Sequence, residues 1–430
     1  MKNILINFKQ HPQYDSIVSW AKLISITGSA QIIIQALGFA SGILIIRLLP
    51  VQEYGLYTLA NTMLGTMTVL ADAGISTGIM AQGAKVWQNK KKLGVVLATG
   101  LDLRRKFAVG SLIISTPVLI YLLLHNNASW LTSCLIVASL IPAFFAALSD
   151  SLLEIVPKLH QDIVPLQKNQ VSVGILRLLL IGLTMFVFPW AFIALLANGI
   201  PRVFGNIKLR KIAERFVDKT TKSDPAIQRE IMLIVKRILP GAIYFCVSGQ
   251  ITIWLISIFG NTIAVAQLGA LGRLAMLLNI VSVLINTLIV PRFARLEPRK
   301  KDLLKKVLYT ISLVLLINII IILVVVIFPT QILLILGNPY KNLTKAMILS
   351  VLIGCINLGT GVFISFSSSR GWVINPFLMM IFNIFGTVFP LFFVDVSTLK
   401  GVLILSLFSS LWGLFIYGGY TFQKILRLDN

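Results

Sequence analysis

Uninterrupted apolar runs of about twenty residues recur from the first fifty residues of the chain to its last twenty. No other feature restricts the fold as tightly, because within a bilayer only a helix or a closed barrel satisfies its own backbone hydrogen bonds. The runs lack the strict alternation of barrel strands, so they read as helices. Candidate spans fall at 23–46, 55–80, 107–124, 130–149, 171–188, 190–209, 235–258, 263–291, 307–328, 343–366, 372–394 and 400–421. At about 1.5 Å per residue most of them cover a hydrocarbon core of about 30 Å, and the 263–291 run is long enough to tilt or protrude. The expected fold is an all-α polytopic membrane protein of about 12 transmembrane helices. Composition agrees: 57% of the 430 residues are hydrophobic and 12% charged, roughly half the charged share of a soluble domain.

A net charge of +23 would suit a nucleic-acid partner, but the cations sit in the gaps between apolar runs. That is where a topology signal belongs, and nucleic acid is set aside. With the N-terminus inside, 32 of the 38 Lys and Arg fall on alternate, cytoplasmic segments, beginning with Lys2, Lys9 and Lys22. Outside segments hold only Arg47, Lys341, Lys345 and Lys400, while Arg177 and Arg273 lie within spans. Both termini are therefore expected in the cytoplasm. The N-terminal stretch has no small-residue cleavage site after a short apolar core, so the first span is expected to remain in the mature chain. Cys134, Cys246 and Cys355 each lie within an apolar run, without metal-ligand spacing or a disulfide framework. His11, His125 and His160 are scattered, and no Gly-rich phosphate loop or nucleophile-base grouping emerges. No catalytic residue, metal site or cofactor is expected; the chain reads as a transporter rather than an enzyme.

The longest polar stretch, about 210–232, divides the spans six and six. This organisation predicts an N-terminal lobe at 1–210, a cytoplasmic linker at 211–232 and a C-terminal lobe at 233–430. Each half opens with a span rich in small and amide residues, Ser29, Gln31, Gln35 and Ser41 in the first and Ser248, Gln250 and Thr252 in the second. A short outer turn and a long second span follow in both. The pattern is a weak parallel repeat with a period of roughly 210 residues, as in two-lobed transporters.

Residues 47–77, RLLPVQEYGLYTLANTMLGTMTVLADAGIST, carry an Arg-Leu-Leu-Pro turn, then Glu-Tyr-Gly-Leu-Tyr, then Asp-Ala-Gly-Ile-Ser. This block resembles the opening signature of the polysaccharide-export branch of the multidrug/oligosaccharidyl-lipid/polysaccharide (MOP) flippase superfamily. Residues 239–277 and the following Pro291-to-Leu296 segment resemble the start of that family's C-terminal lobe. Many relatives carry an Asp-Arg pair in the first helix of that lobe. Thr252 and Ile253 occupy the neighbourhood here, so a role for that acid does not transfer. The resemblance implies two six-helix lobes in a V that alternates between inward and outward openings. It also implies a multi-pass protein of the bacterial inner membrane, and a substrate made of a glycan on a polyprenyl diphosphate.

Arg273 falls about ten residues into its span, near mid-bilayer, where a cation is costly unless it meets water or a partner. It reads either as a cavity-lining cation for a diphosphate or acidic sugar, or as a structural partner of a carbonyl or carboxylate. Arg177 lies about six residues from the inner end of its helix, within snorkelling reach of the interface. Facing the cavity instead, it would oppose Arg273, and the two would hold a diphosphate. Asp72, the deepest acid, reads as the site of a coupling proton or sodium ion, or as a contact that fixes the Asp-Ala-Gly turn. Asp150, Glu154 and Lys158 are spaced for ordinary i, i+4 pairing at the membrane surface. Arg47 and Glu53 flank the outer turn after the first span and are candidates for an outer gate or a local salt bridge. Gln31, Gln35, Gln250, Asn279 and Asn286 are placed either to bond sugars or to pack helices.

The leading reading is a flippase for a polyprenyl-diphosphate-linked oligosaccharide serving polysaccharide or O-antigen export. Its expected partners are the lipid-linked glycan, membrane lipids gathered by the basic clusters, a coupling proton or sodium ion, and glycan polymerase or other assembly proteins. A multidrug-type exporter on the same fold would need an acidic cavity. A glycan polymerase or ligase would need a large outer loop bearing acids, and the longest here, about 329–343, has none. A non-transporting scaffold of glycan assembly is the remaining alternative.

Overall fold

A computed structural model describes residues 14–428 apart from 219, 295, 298 and 373. The inner-side placement read for Lys2 and Lys9, and His11 with them, lies outside the described residues.

The first half contains α1 (Tyr14–Leu48), α2 (Val51–Asp72), α3 (Ile75–Val86), α4 (Lys90–His125), α5 (Trp130–Leu153), the short α6 (Ile155–Leu159), α7 (Ile163–Met185) and α8 (Ala191–Ala213). The second contains α9 (Pro225–Phe259), α10 (Thr262–Ala275), α11 (Leu278–Leu288), α12 (Val290–Ala294), α13 (Lys300–Ile327), α14 (Pro329–Leu336), α15 (Thr344–Ser369), α16 (Pro376–Val388) and α17 (Leu399–Leu426). Among the described residues, seven helices are individually long and apolar enough to span a membrane. The pairs α2–α3 and α10–α11 make two bent spans, with angles of 45° and 41°. With α7, α8 and α16, which runs on into the 3-10 turn Phe389–Phe392, they make twelve.

The two halves repeat element by element. α2 begins at Val51 and α10 at Thr262, α4 at Lys90 and α13 at Lys300, α5 at Trp130 and α15 at Thr344, so corresponding starts lie about 210 residues apart. Helix starts follow local chemistry. Asn89, Ser129, Asn261 and Thr398 each accept a hydrogen bond from a backbone N–H two or three residues into the next helix. Asp224 and Asn375 do so ahead of a proline at the first helical position. Pro225 shows why the linker is shorter than its polarity suggests. The helix resumes at 225, so only 214–224 is irregular, and the charges that follow lie on the exposed side of α9.

The long second span of each half bends rather than tilting as one rod. In α2–α3 the break is at Ala73 and Gly74, both left-handed at φ 45° and 90°, and a Cβ on Gly74 would stand 2.9 Å from Ile238. In the second half, the amide of Met276 is shared between the carbonyls of Gly272 and Arg273, and the amide of Leu277 bonds the Leu274 carbonyl. The ladder tightens there to 3-10 geometry and the axis turns.

Packing divides the molecule into a joined end and a split end. Away from the linker, one core draws Ile45, Tyr54 and Leu123 from the first half together with Leu271, Leu333 and Tyr340 from the second. At the linker end there are two cores. One is built on Ile79, Leu97, Leu152 and Leu209 and includes Ile231 and Val235 from the start of α9. The other is built on Phe293, Val307, Phe366 and Ile425. Apart from the first turns of α9, which pack on the first lobe, the two lobes share apolar burial at one end only and form a V, open at the basic, linker-bearing end.

Candidate functional site

Within the first lobe, α1, α2, α5, α7 and α8 enclose a cavity of about 220 Å³, which α10 of the second lobe closes with Arg273. Its walls follow helical spacing: Gly38, Ser41, Gly42 and Ile45 on α1, Tyr57, Asn61 and Leu64 on α2, Leu195, Asn198, Gly199 and Arg202 on α8. Three guanidinium groups line it, those of Arg177, Arg202 and Arg273, and no carboxylate does among the described residues.

Arg273 comes from the second lobe and reaches across to the first. Its stem crosses α1 at Gly42, where a Cβ would stand 3.3 Å from its Cδ, so the glycine leaves room for the side chain. Tyr54 and Tyr57 interact with it, and Met276 Sδ lies 3.6 Å from Nη1. The Asn198 amide bonds the Tyr57 hydroxyl at 3.3 Å, linking α8 to the same cluster. Arg177 does not snorkel. It faces the cavity, with its Nε buried and without a hydrogen-bond partner; Ser41 Oγ in the same wall is likewise buried without one. Buried polar atoms are rarely left unpaired, so both are available to an anionic or hydroxylated ligand. Arg202 is held by Asp150 at 3.1 Å, and Asp150 by Asn206 at 2.6 Å.

That last pairing corrects the surface reading of Asp150. Only Glu154 and Lys158 form the i, i+4 pair, at 2.7 Å, while Gln170 also donates to Glu154 at 3.1 Å. Arg202, counted with the basic inner loop in the sequence, is a wall residue because α8 continues well past it.

Beyond Arg273, the pockets of the second lobe are lined by uncharged residues. A pocket of about 300 Å³ begins at Gly272, beside Arg273, and is lined by Asn279, Ser282 and Asn357. Asn357 also borders a larger one of about 520 Å³, where Thr360, Asn383, Ser406 and Ser409 stand beside Tyr244, Trp412 and Tyr417. Asn286 is occupied locally by Ser282, and Gln31 bonds Gln167 at 3.4 Å within the first lobe. Gln35 and Gln250 are half-buried and border none of these pockets.

Asp72 is ion-paired. It accepts from the Ser76 hydroxyl at 2.6 Å and the Ser76 amide at 3.2 Å, fixing the turn into α3, and it pairs with the buried Arg104. Arg104 extends to the Leu148 carbonyl at 2.6 Å and to Ser151, so one guanidinium ties the bend to α5.

At the joined end, Arg47 and Glu53 do different things. Arg47 donates to the Leu334 and Ile335 carbonyls at 2.6 and 2.9 Å, capping α14 across the lobe boundary. Glu53 accepts from the Ala191 amide at 2.7 Å, capping α8 within its own lobe. Asn126 adds a buried link across the boundary, to Ser257 at 2.8 Å and Thr262 at 3.0 Å. The seam is close because glycines face threonines: a Cβ on Gly55 would lie 2.5 Å from the Thr262 carbonyl oxygen, and one on Gly269 would lie 2.7 Å from Thr58.

No family model matches the chain, and no curated protein matches it in sequence. Solved structures do. An inward-facing multidrug resistance MATE family transporter of the MOP superfamily superposes with a TM-score of 0.73 at 15% identity, over 91% of this chain and 94% of that one. An outward-facing MATE family transporter gives 0.63 at 15% identity, over 94% and 95%. A MOP superfamily transporter from Pyrococcus furiosus, described as having a binding pocket of reverse polarity that suggests a different function, gives 0.65 at 16% identity, over 94% and 96%. The chain has the twelve-helix, two-lobed fold of these transporters.

Proposed function

We propose that the chain is a transporter of the MOP type whose cargo is anionic, and that the cargo is a polyprenyl-diphosphate-linked oligosaccharide flipped across the bacterial cytoplasmic membrane. One observation carries the reading: three guanidinium groups, two from the first lobe and Arg273 from the second, converge on a cavity with no lining carboxylate among the described residues. Guanidinium matches phosphate oxygens bidentately, and in a site shielded from water such pairs gain strength. The uncharged pockets of the second lobe offer the amides, hydroxyls and aromatic faces that sugars use. The lipid tail would stay in the bilayer. The Glu-Tyr-Gly-Leu-Tyr block supports the polysaccharide-export branch, since its tyrosines flank Arg273 and its glycine forms the seam.

A multidrug-type exporter is the second reading, and the fold serves it equally well. A cationic drug would, however, meet Arg177 and Arg273, and the Asp150 carboxylate that could have served it is already paired with Arg202. By the distribution of Lys and Arg, the open, linker-bearing end is the cytoplasmic one, so the shape corresponds to an inward-facing state with Arg47 as a latch on the outer side. A coupling proton or sodium ion at Asp72 would have to compete with Arg104.

The test is exposure of a lipid-linked oligosaccharide to a sugar-modifying enzyme confined to the trans side of vesicles. Wild type should render the substrate accessible and Arg273→Ala should leave it trapped. Equal trapping with wild type and with empty vesicles would refute the flippase reading and favour drug export or a scaffold role.

A further inference from the structure

Apart from the central cavity, α4, α5 and α8 enclose a pocket of about 380 Å³ on the flank of the first lobe, and the two share no residue. Arg104 forms part of its wall. This side chain is only 4% exposed, and its terminal nitrogens are taken by Asp72, Ser76, Ser151 and the Leu148 carbonyl, yet its Nε has no partner. Arg105 and Arg210 stand exposed in the same pocket. The remaining wall is largely apolar, with Pro142, Phe145, Leu148 and Val203. Around it the lobe presents Ile141, Phe145, Phe204 and Ile207, all 42–54% exposed, which is the surface expected to face acyl chains.

We infer that this pocket binds the headgroup of an anionic phospholipid in the leaflet at the linker-bearing end. The arginines supply fork-shaped donors for phosphate oxygens, and the apolar wall accommodates the first carbons of an acyl chain. A soluble phosphate would use the cationic part and leave the wall idle, so the combination selects a lipid. Because Arg104 also holds Asp72 at the bend between α2 and α3, an occupied pocket braces that bend. The inference is independent of which cargo the central cavity carries.

The experiment reads lipid retention on the full-length protein by native mass spectrometry, from nanodiscs of phosphatidylcholine with a minor share of phosphatidylglycerol. Wild type should retain phosphatidylglycerol selectively. Arg105→Gln/Arg210→Gln should lose roughly 25-fold in that preference, the equivalent of two near-surface charges. Lys91→Gln/Lys92→Gln, which removes the same charge from the same end, should keep it. Arg105→Lys/Arg210→Lys, with charge retained, should fall between and shows that the paired positions tolerate substitution. The inference is overturned by equal retention of both lipids in wild type, or by an equal loss in the Lys91/Lys92 control. It is also overturned if inorganic phosphate displaces the lipid at equal concentration, which would mark a soluble-anion site.

Discussion

Replacing Gly55 by alanine should open the joined end of the V. The added Cβ would stand 2.5 Å from the carbonyl oxygen of Thr262 and 2.6 Å from its Cγ2. Carbon-to-oxygen contacts settle at about 3.3 Å, so α2 and α10 must part by about 1 Å. A backbone carbonyl cannot rotate away as a side chain does. Overpacking of this kind costs about 1–3 kcal/mol. The cost falls on the state in which Gly55 faces Thr262 and vanishes when the lobes separate there. The equilibrium should therefore move toward the separated state by roughly 5- to 150-fold. Spin labels at the exposed Gln52 and Lys341 would report it by pulsed dipolar spectroscopy: wild type dominated by the shorter separation, the variant gaining a longer one. Gly65→Ala on the same helix meets nothing within 4 Å and serves as the unperturbed control. An unchanged distance distribution in Gly55→Ala would refute the claim that this seam belongs to one state of an alternating pair.

The same seam can be tested by closure. The Cβ expected at Gly269 lies 3.3 Å from Thr58 Cβ, near disulfide spacing, so Thr58→Cys/Gly269→Cys, with the three native cysteines replaced, should cross-link on oxidation. Translocation should stop and return with reductant, and survival of transport in the cross-linked protein would contradict the account. Arg104→Ala should cost about 3–5 kcal/mol by leaving Asp72 without its cation, with partial recovery in Arg104→Ala/Asp72→Ala; thermal melting in detergent decides, and a near-neutral single variant would argue against the tie.

The spans were legible because a bilayer demands twenty apolar residues at a time, and that demand leaves a signal independent of any tertiary contact. Arg273 and Arg177 stood out for the same reason, as cations where few belong. Arg202 did not, because a cation near a helix end reads as a topology mark. Its signal was periodicity: Leu195, Asn198, Gly199 and Arg202 repeat at three and four residues, and all four line the cavity. Asp72 looked isolated because its partner Arg104 lies 32 residues away inside a basic cluster. The bend at Met276 and Leu277 has no Pro or left-handed Gly to announce it; it arises from hydrogen-bond tightening that only coordinates reveal.

The central claim is that the three arginines grip the phosphate-bearing part of the cargo, and the measurement that meets it most directly is a cryo-electron microscopy map with lipid-linked oligosaccharide bound. The account predicts diphosphate density contacting Arg177, Arg202 and Arg273, with the glycan extending toward Asn357 and Trp412. Cargo density elsewhere, with all three guanidinium groups unengaged, would contradict it.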